Sequence, residues 1–180
     1  MLSRPSEPEV PGFVRGYVDV VPEGEPGGLM QVLAGQLHSF PALLRRIPES
    51  GTESGYAPGK WSLKQAVEHV NDAERVFAYR LLRIARGDKT PLPGFDQDSY
   101  VANSSANARP WSELIAEFED VRRATLALAR SLPDEAWIRT GTSSGASCSA
   151  RMLAYVIAGH AIHHARAIED KYGALLKSRC

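Results

Sequence analysis

Three of the five histidines fall in one short apolar run, Ala154-Tyr-Val-Ile-Ala-Gly-His-Ala-Ile-His-His-Ala-Arg-Ala-Ile168. His160 and His164 are four residues apart, so on a helix they stand one above the other on the same face. Leu153, Val156, Ile157, Ala167 and Ile168 fall on or beside that face, which turns the pair toward packed protein rather than water. Two buried imidazoles repel each other when both are protonated. Neutral, they can share a cation, and neutral imidazole is a common ligand for zinc, nickel and iron. The competing reading is a pair of core histidines satisfied by hydrogen bonds; the i, i+4 pairing on an apolar face favours metal ligation over it. His163 lies off that axis and reads as an outer or surface residue rather than a ligand.

Composition bounds what such a site can serve. The chain is long enough to bury a good core, and its 43% hydrophobic and 23% charged residues are those of an ordinary globular protein. Lys and Arg number 21, as do Asp and Glu, so the formal net charge is zero. A broad nucleic-acid surface needs a basic excess, which is missing here. No apolar run approaches the roughly 20 residues of a membrane span. The opening MLSRPSEPEVPGF has acids and prolines where a signal peptide would have an apolar core. The expectation is a cytoplasmic protein that acts on a small molecule and binds neither nucleic acid nor membrane. Cys148 sits in a Ser/Gly-rich stretch with no identifiable base and reads as an unremarkable free thiol. Cys180, the last residue, reads as a frayed end.

The positioning elements follow from periodicity. Residues 1–28, rich in Pro and Gly, form an N-terminal arm, and 29–180 the body. Within the arm, Phe13 to Val21 alternates, which suggests a short strand or an extended segment lying on the body, without catalytic residues. Leu29, Val32, Leu33, Leu37, Phe40, Leu44 and Ile47 make the stripe of a first helix, with a kink expected at Pro41 and His38 on the solvated side. Ser62 and Gln65 form a capping box that starts a second helix near Leu63, ended by Gly87. His69 lies at the border of its buried stripe. Residues 88–109 make a connection of about 22 residues, unusual inside one domain. A third helix runs from Pro110 to Leu132, its seam stepping through Leu114, Phe118, Val121, Thr125, Leu128 and Leu132. After a Gly/Ser/Thr-rich loop, the last helix carries the histidine pair to Tyr172 or Gly173.

Four such helices imply an all-α, four-helix bundle. Twenty-two extended residues reach roughly 70 Å against about 35 Å for a helix, so helices two and three can run parallel, in an up-down-down-up order. Helix four is then antiparallel to helix two. His69 lies about 10 Å from the start of its helix, and His164 and His160 about 12 to 18 Å from the end of theirs. Those heights coincide. Three imidazoles with no obvious fourth ligand leave coordination positions open, as catalytic rather than structural metal sites do. Taken alone, His69 reads as well as a core or surface histidine.

Four segments then carry a likeness: Tyr-Ala-Pro-Gly-Lys-Trp-Ser (56–62), His-Val-Asn-Asp-Ala-Glu-Arg (69–75), Pro-Gly-Phe-Asp-Gln-Asp-Ser-Tyr (93–100) and Ala-Gly-His-Ala-Ile-His-His (158–164). Together they resemble the DinB/YfiT-like metalloenzyme superfamily over roughly residues 29–175. The resemblance implies a four-helix bundle with a long middle crossover, often a homodimer. It implies a divalent metal (nickel, zinc, iron or manganese) held by one His of the second helix and the first and last His of the final motif. Those positions are His69, His160 and His164. Its branches include S-transferases and isomerases that use low-molecular-weight thiols (bacillithiol or mycothiol) and many presumed metal-dependent hydrolases. The expected function is therefore metal-dependent hydrolysis or thiol-dependent S-transfer on a small molecule. The alternatives are a non-catalytic metal-binding stress-response protein and a helical scaffold whose histidines satisfy each other. No general base is identifiable. Asp72 could orient a ligand, and Arg75 and Arg166 could receive an acidic thiol or substrate; each reads equally as a solvated ion-pairing residue.

Overall fold

The computed structural model describes residues 3–23 and 28–176; Cys180 lies outside them. The elements in order are α1 (Gly12–Asp19), α2 (Gly28–Leu44), α3 (Leu63–Ala85), α4 (Gln97–Ala102), α5 (Trp111–Arg130), α6 (Asp134–Trp137), β1 (Thr140–Ser143), β2 (Ala146–Ser149) and α7 (Ala150–Tyr172). The long helices α2, α3, α5 and α7 form the expected bundle. The capping box holds as read: Gln65 N donates to Ser62 Oγ at 3.1 Å, and Ser62 N to Gln65 Oε1 at 2.9 Å. Ser149 caps α7 through Met152 N at 3.2 Å.

Cross-helix contacts fix the directions. Glu68 pairs with Arg109 at 3.1 Å and Arg75 with Glu117 at 2.5 Å, so α3 and α5 climb in parallel. Tyr172 Oη donates to Trp61 O at 3.4 Å at one end of α3. At the other end, Arg139 Nη1 donates to Ala85 O and Arg139 O accepts from Ala150 N. Helix α7 is therefore antiparallel to α3, and the up-down-down-up order stands.

Two local expectations change. Residues 13–21 are not a strand: α1 is helical, with Val14 and Val18 buried against α7. The same apolar residues that alternate also fit a helical period, Val10, Val14, Tyr17, Val18 and Val21, and packing against a helix selects the helix. Arg4 finishes it by donating to Val18 O at 2.8 Å and Val21 O at 2.6 Å, carbonyls at its C-terminal end. The approach is very close at Gly159, where a Cβ would stand 1.7 Å from Tyr17 O. Only glycine fits there. The stretch before α7 is not a plain loop but contains α6 and a hairpin. Ser144 and Gly145 turn it with φ of 52° and 77°, the left-handed pair of a two-residue primed turn.

Two apolar cores fill the bundle. One joins α1, Leu33, Leu81, Ile84, Leu126 and Met152–Ala158; the other joins Phe40, Leu44, Leu63, Val67, Val70, Leu114, Phe118 and Ile168. Between them lies a buried polar layer. Arg122, wholly inaccessible, makes a bidentate pair with Glu74 at 2.7 and 2.8 Å and donates to Leu33 O at 3.2 Å and to Gln36 Oε1. Gln36 Nε2 in turn donates to Ala158 O at 2.8 Å. The polar layer thus joins all four long helices, and the histidines sit beside it.

Candidate metal centre

Helix α3 supplies His69 and helix α7 supplies His160 and His164, and antiparallel packing brings all three together. Their Nε2 atoms face one another: His160 Nε2 is 3.2 Å from His69 Nε2 and 3.2 Å from His164 Nε2. One ligating atom from each lies within 4.8 Å of the others. Nitrogens bound at 2.0–2.1 Å to one ion stand roughly 2.9 Å apart at right angles and roughly 3.3 Å apart at tetrahedral angles. The observed spacing falls between these values. His69 and His160 are each 4% exposed and His164 is half-buried.

Burial sets their charge. Desolvation depresses His69 to about 4 and His164 to about 3, with His163 nearby adding to both shifts. His160 is lowered well below the usual imidazole value, first by burial and then by the neighbouring histidines. The three are neutral near pH 7, so nitrogen lone pairs are available in a largely buried site. His69 Nδ1, on the other side of its ring from Nε2, is buried without a hydrogen-bond partner among the described residues. A divalent cation among the Nε2 atoms would use the lone pairs that three neutral rings cannot satisfy mutually. The donor set fits such an ion.

Aromatic rings wall the cluster. Trp61 is 5.0 Å from His69, Tyr17 5.2 Å and Phe77 5.8 Å from His160, measured between ring centroids. Two cavities of about 340 Å³ open on it. The first reaches His69 and His160 and lies under α1 and the crossover, lined by Tyr17, Phe77, Arg80, Phe95 and Cys148 among others. The second reaches His164, lined by Tyr56, Lys60, Trp61, Asp98 and Lys171.

The remaining expected residues sort cleanly. His163 is exposed at the margin, edge-on to Tyr17 at 5.5 Å. His38 is exposed. Asp72 does not orient His69; it lies 3.6 Å from Arg75, which also pairs with Glu117. Arg166 lines a groove between α2 and α7, outside both cavities at the histidines. Cys148 is buried, and burial pushes its thiol up to about 11, as befits an inert side chain. Sequence reasoning missed Tyr17, Phe77 and Arg80. Phe77 and Arg80 follow His69 by eight and eleven residues, on the same face of α3, which was a readable signal. Tyr17 gave none, because nothing local says where an N-terminal segment docks.

Comparisons with known proteins agree with this architecture. No curated protein sequence matches the chain. YfiT from Bacillus subtilis, described as a probable metal-dependent hydrolase with an unusual four-helix bundle topology, superposes with a TM-score of 0.67 at 19% identity, over 81% of this chain and 86% of its own. A mycothiol-dependent maleylpyruvate isomerase superposes with a TM-score of 0.65 at 13% identity, over 77% of this chain. This chain spans 58% of that isomerase's length. At such identities the likeness concerns the fold. Residues 33–168, well over half the sequence and including all three clustered histidines, match the DinB superfamily, and the chain belongs to that superfamily.

Proposed function

We propose that the protein is a metal-dependent enzyme that holds a divalent ion on His69, His160 and His164 and acts on a small molecule by hydrolysis or thiol-dependent S-transfer. The observation that carries this reading is the convergence of three neutral imidazoles beside two cavities, with His160 Nε2 3.2 Å from both His69 Nε2 and His164 Nε2. When bound, the ion would supply a Lewis acid that polarises a substrate oxygen or makes water or a thiol nucleophilic near neutral pH. The chain's own residues do the rest. The imidazoles present lone pairs from two rigid helices, and Tyr17, Trp61 and Phe77 keep bulk water from the ligand plane. Two chambers meeting at one centre leave room for two molecules, which favours S-transfer; hydrolysis needs only one.

Elemental analysis of protein purified without an affinity tag tests the ion. About one divalent ion per chain is expected, and its loss in His160→Ala. An equal metal content in the variant sinks the reading. Calorimetric titration of the metal-loaded protein with low-molecular-weight thiols, followed by a screen of small electrophiles and esters, separates the branches. Failure to bind any thiol removes S-transfer, and hydrolysis remains only if an ester or amide is turned over.

A further inference from the structure

The first cavity contains a buried cation that the fold leaves without an anion. Arg80 is only 5% exposed, yet among the described residues no carboxylate pairs with its guanidinium. Arg80 Nη2 donates to Pro93 O at 2.7 Å, and the guanidinium carbon lies 5.8 Å from the centroid of Phe77 and 5.6 Å from that of Phe95. The chain's other strongly buried cations are treated differently: Arg122 has Glu74, and Lys64 has Glu49 and Glu53 at 3.3 and 3.2 Å. Arginine cannot shed its proton, and among the described residues one carbonyl and two aromatic faces are all that offset the burial of this guanidinium, leaving most of its five N–H donors open to an anion. Arg80 is one of the residues that line the first cavity.

The surroundings say what that anion is attached to. Pro11, Val14, Tyr17, Phe77, Phe95, Met152 and Val156 make the walls predominantly apolar. His69 and His160 line the same cavity. The Arg80 guanidinium and the His160 ring each lie 5.8 Å from the Phe77 ring, so two short steps bound their separation. The volume, about 340 Å³, is near the lower end for small-molecule sites. The crossover roofs this space and is tied down by Leu92 N to Thr142 O at 2.9 Å and Ser144 N to Leu92 O at 3.0 Å. The chamber is therefore built before any ligand arrives.

We infer that Arg80 is the carboxylate anchor of the substrate chamber, so the substrate class is a small acid with an apolar body whose far end reaches the histidine cluster. A planar carboxylate matches the guanidinium fork, the aromatic walls hold the body, and the reacting centre is placed at the cluster by length. This rests on the metal-dependent reading above for the chemistry, but not for the binding.

The test is calorimetric binding of matched acids and amides (phenylacetate and phenylacetamide, hexanoate and hexanamide, with shorter and longer homologues), to the protein as purified and after chelation. The acid is expected to bind tighter than its amide by on the order of 10- to 100-fold, with or without metal. Arg80→Gln should erase that preference while leaving amide binding unchanged, and Arg80→Lys should keep part of it. If Arg80 serves only to hold the crossover through Pro93 O, the substitution weakens acid and amide alike and the proposal fails. It also fails if the wild type shows no acid preference in any pair, or if the preference survives Arg80→Gln or vanishes on chelation, since direct metal ligation would then account for it. If Arg80→Gln does not fold, Arg80→Lys and the wild-type comparison decide. Acid preference without retained metal would overturn the enzymatic reading and leave the anchor standing; metal without acid preference would do the reverse.

Discussion

Replacing Glu74 with leucine removes one half of the buried ion pair and leaves Arg122, which has no solvent exposure, as an uncompensated cation. Breaking such a pair costs about 3–5 kcal/mol, because the remaining charge can neither reach water nor lose its proton. Two bonds of normal length, 2.7 and 2.8 Å, hold the pair in bidentate geometry, so the upper half of that range applies. For a chain of this size the loss corresponds to a fall in Tm of about 8–20 °C. Thermal and urea unfolding, followed by far-ultraviolet circular dichroism, measure it directly. The double variant Glu74→Leu with Arg122→Met is expected to be more stable than Glu74→Leu alone, since no charge is stranded; the orphaned Leu33 O and Gln36 Oε1 keep it below wild type. Metal retention should weaken in Glu74→Leu as well, because Gln36 links Arg122 to Ala158 O, two residues before His160. A cost below about 1 kcal/mol, or single costs that simply add, would mean water reaches the pair, and the polar layer would not be what registers the helices.

Gly159→Ala should destabilise by about 2 kcal/mol or more and open the α1 region to protease, since the new methyl would meet Tyr17 O; Gly35→Ala, where a Cβ meets nothing within 4 Å, should gain up to about 1 kcal/mol. The metal-free protein should lose stability as pH falls from about 6.5 toward 4. The folded histidines have depressed pKa values, so the unfolded chain takes up protons first; equilibrium unfolding against pH, repeated with His69→Ala and His164→Ala, should show the slope shrinking. A flat profile in the wild type would contradict the burial argument. In a Cys180→Ser background, Cys148 at pH 8 should react with a thiol reagent on the order of 100-fold more slowly in the folded protein than in denaturant, because burial raises its pKa from 9.0 to about 11.

The sequence by itself determined the four long helices, the parallel pairing allowed by the long crossover, and the three histidines that meet. Each of these is a matter of spacing along one chain: a four-residue step puts His160 and His164 on one face, and helical rise sets the height of His69. The docking of α1 was not legible, because its apolar residues fit two periods and only the surface of α7 at Gly159 chooses between them. Nor was the partnership of the charged residues. Asp72 and Arg75 pair at the surface, Glu74 and Arg122 pair in the interior, and Arg80 is buried among rings with no counter-ion among the described residues, though all five lie on helical stretches of similar composition. Which charge meets its opposite, and which is left facing a cavity, depends on how four helices rotate against one another. That rotation is fixed by packing summed over the whole core, and no local stretch of sequence encodes it.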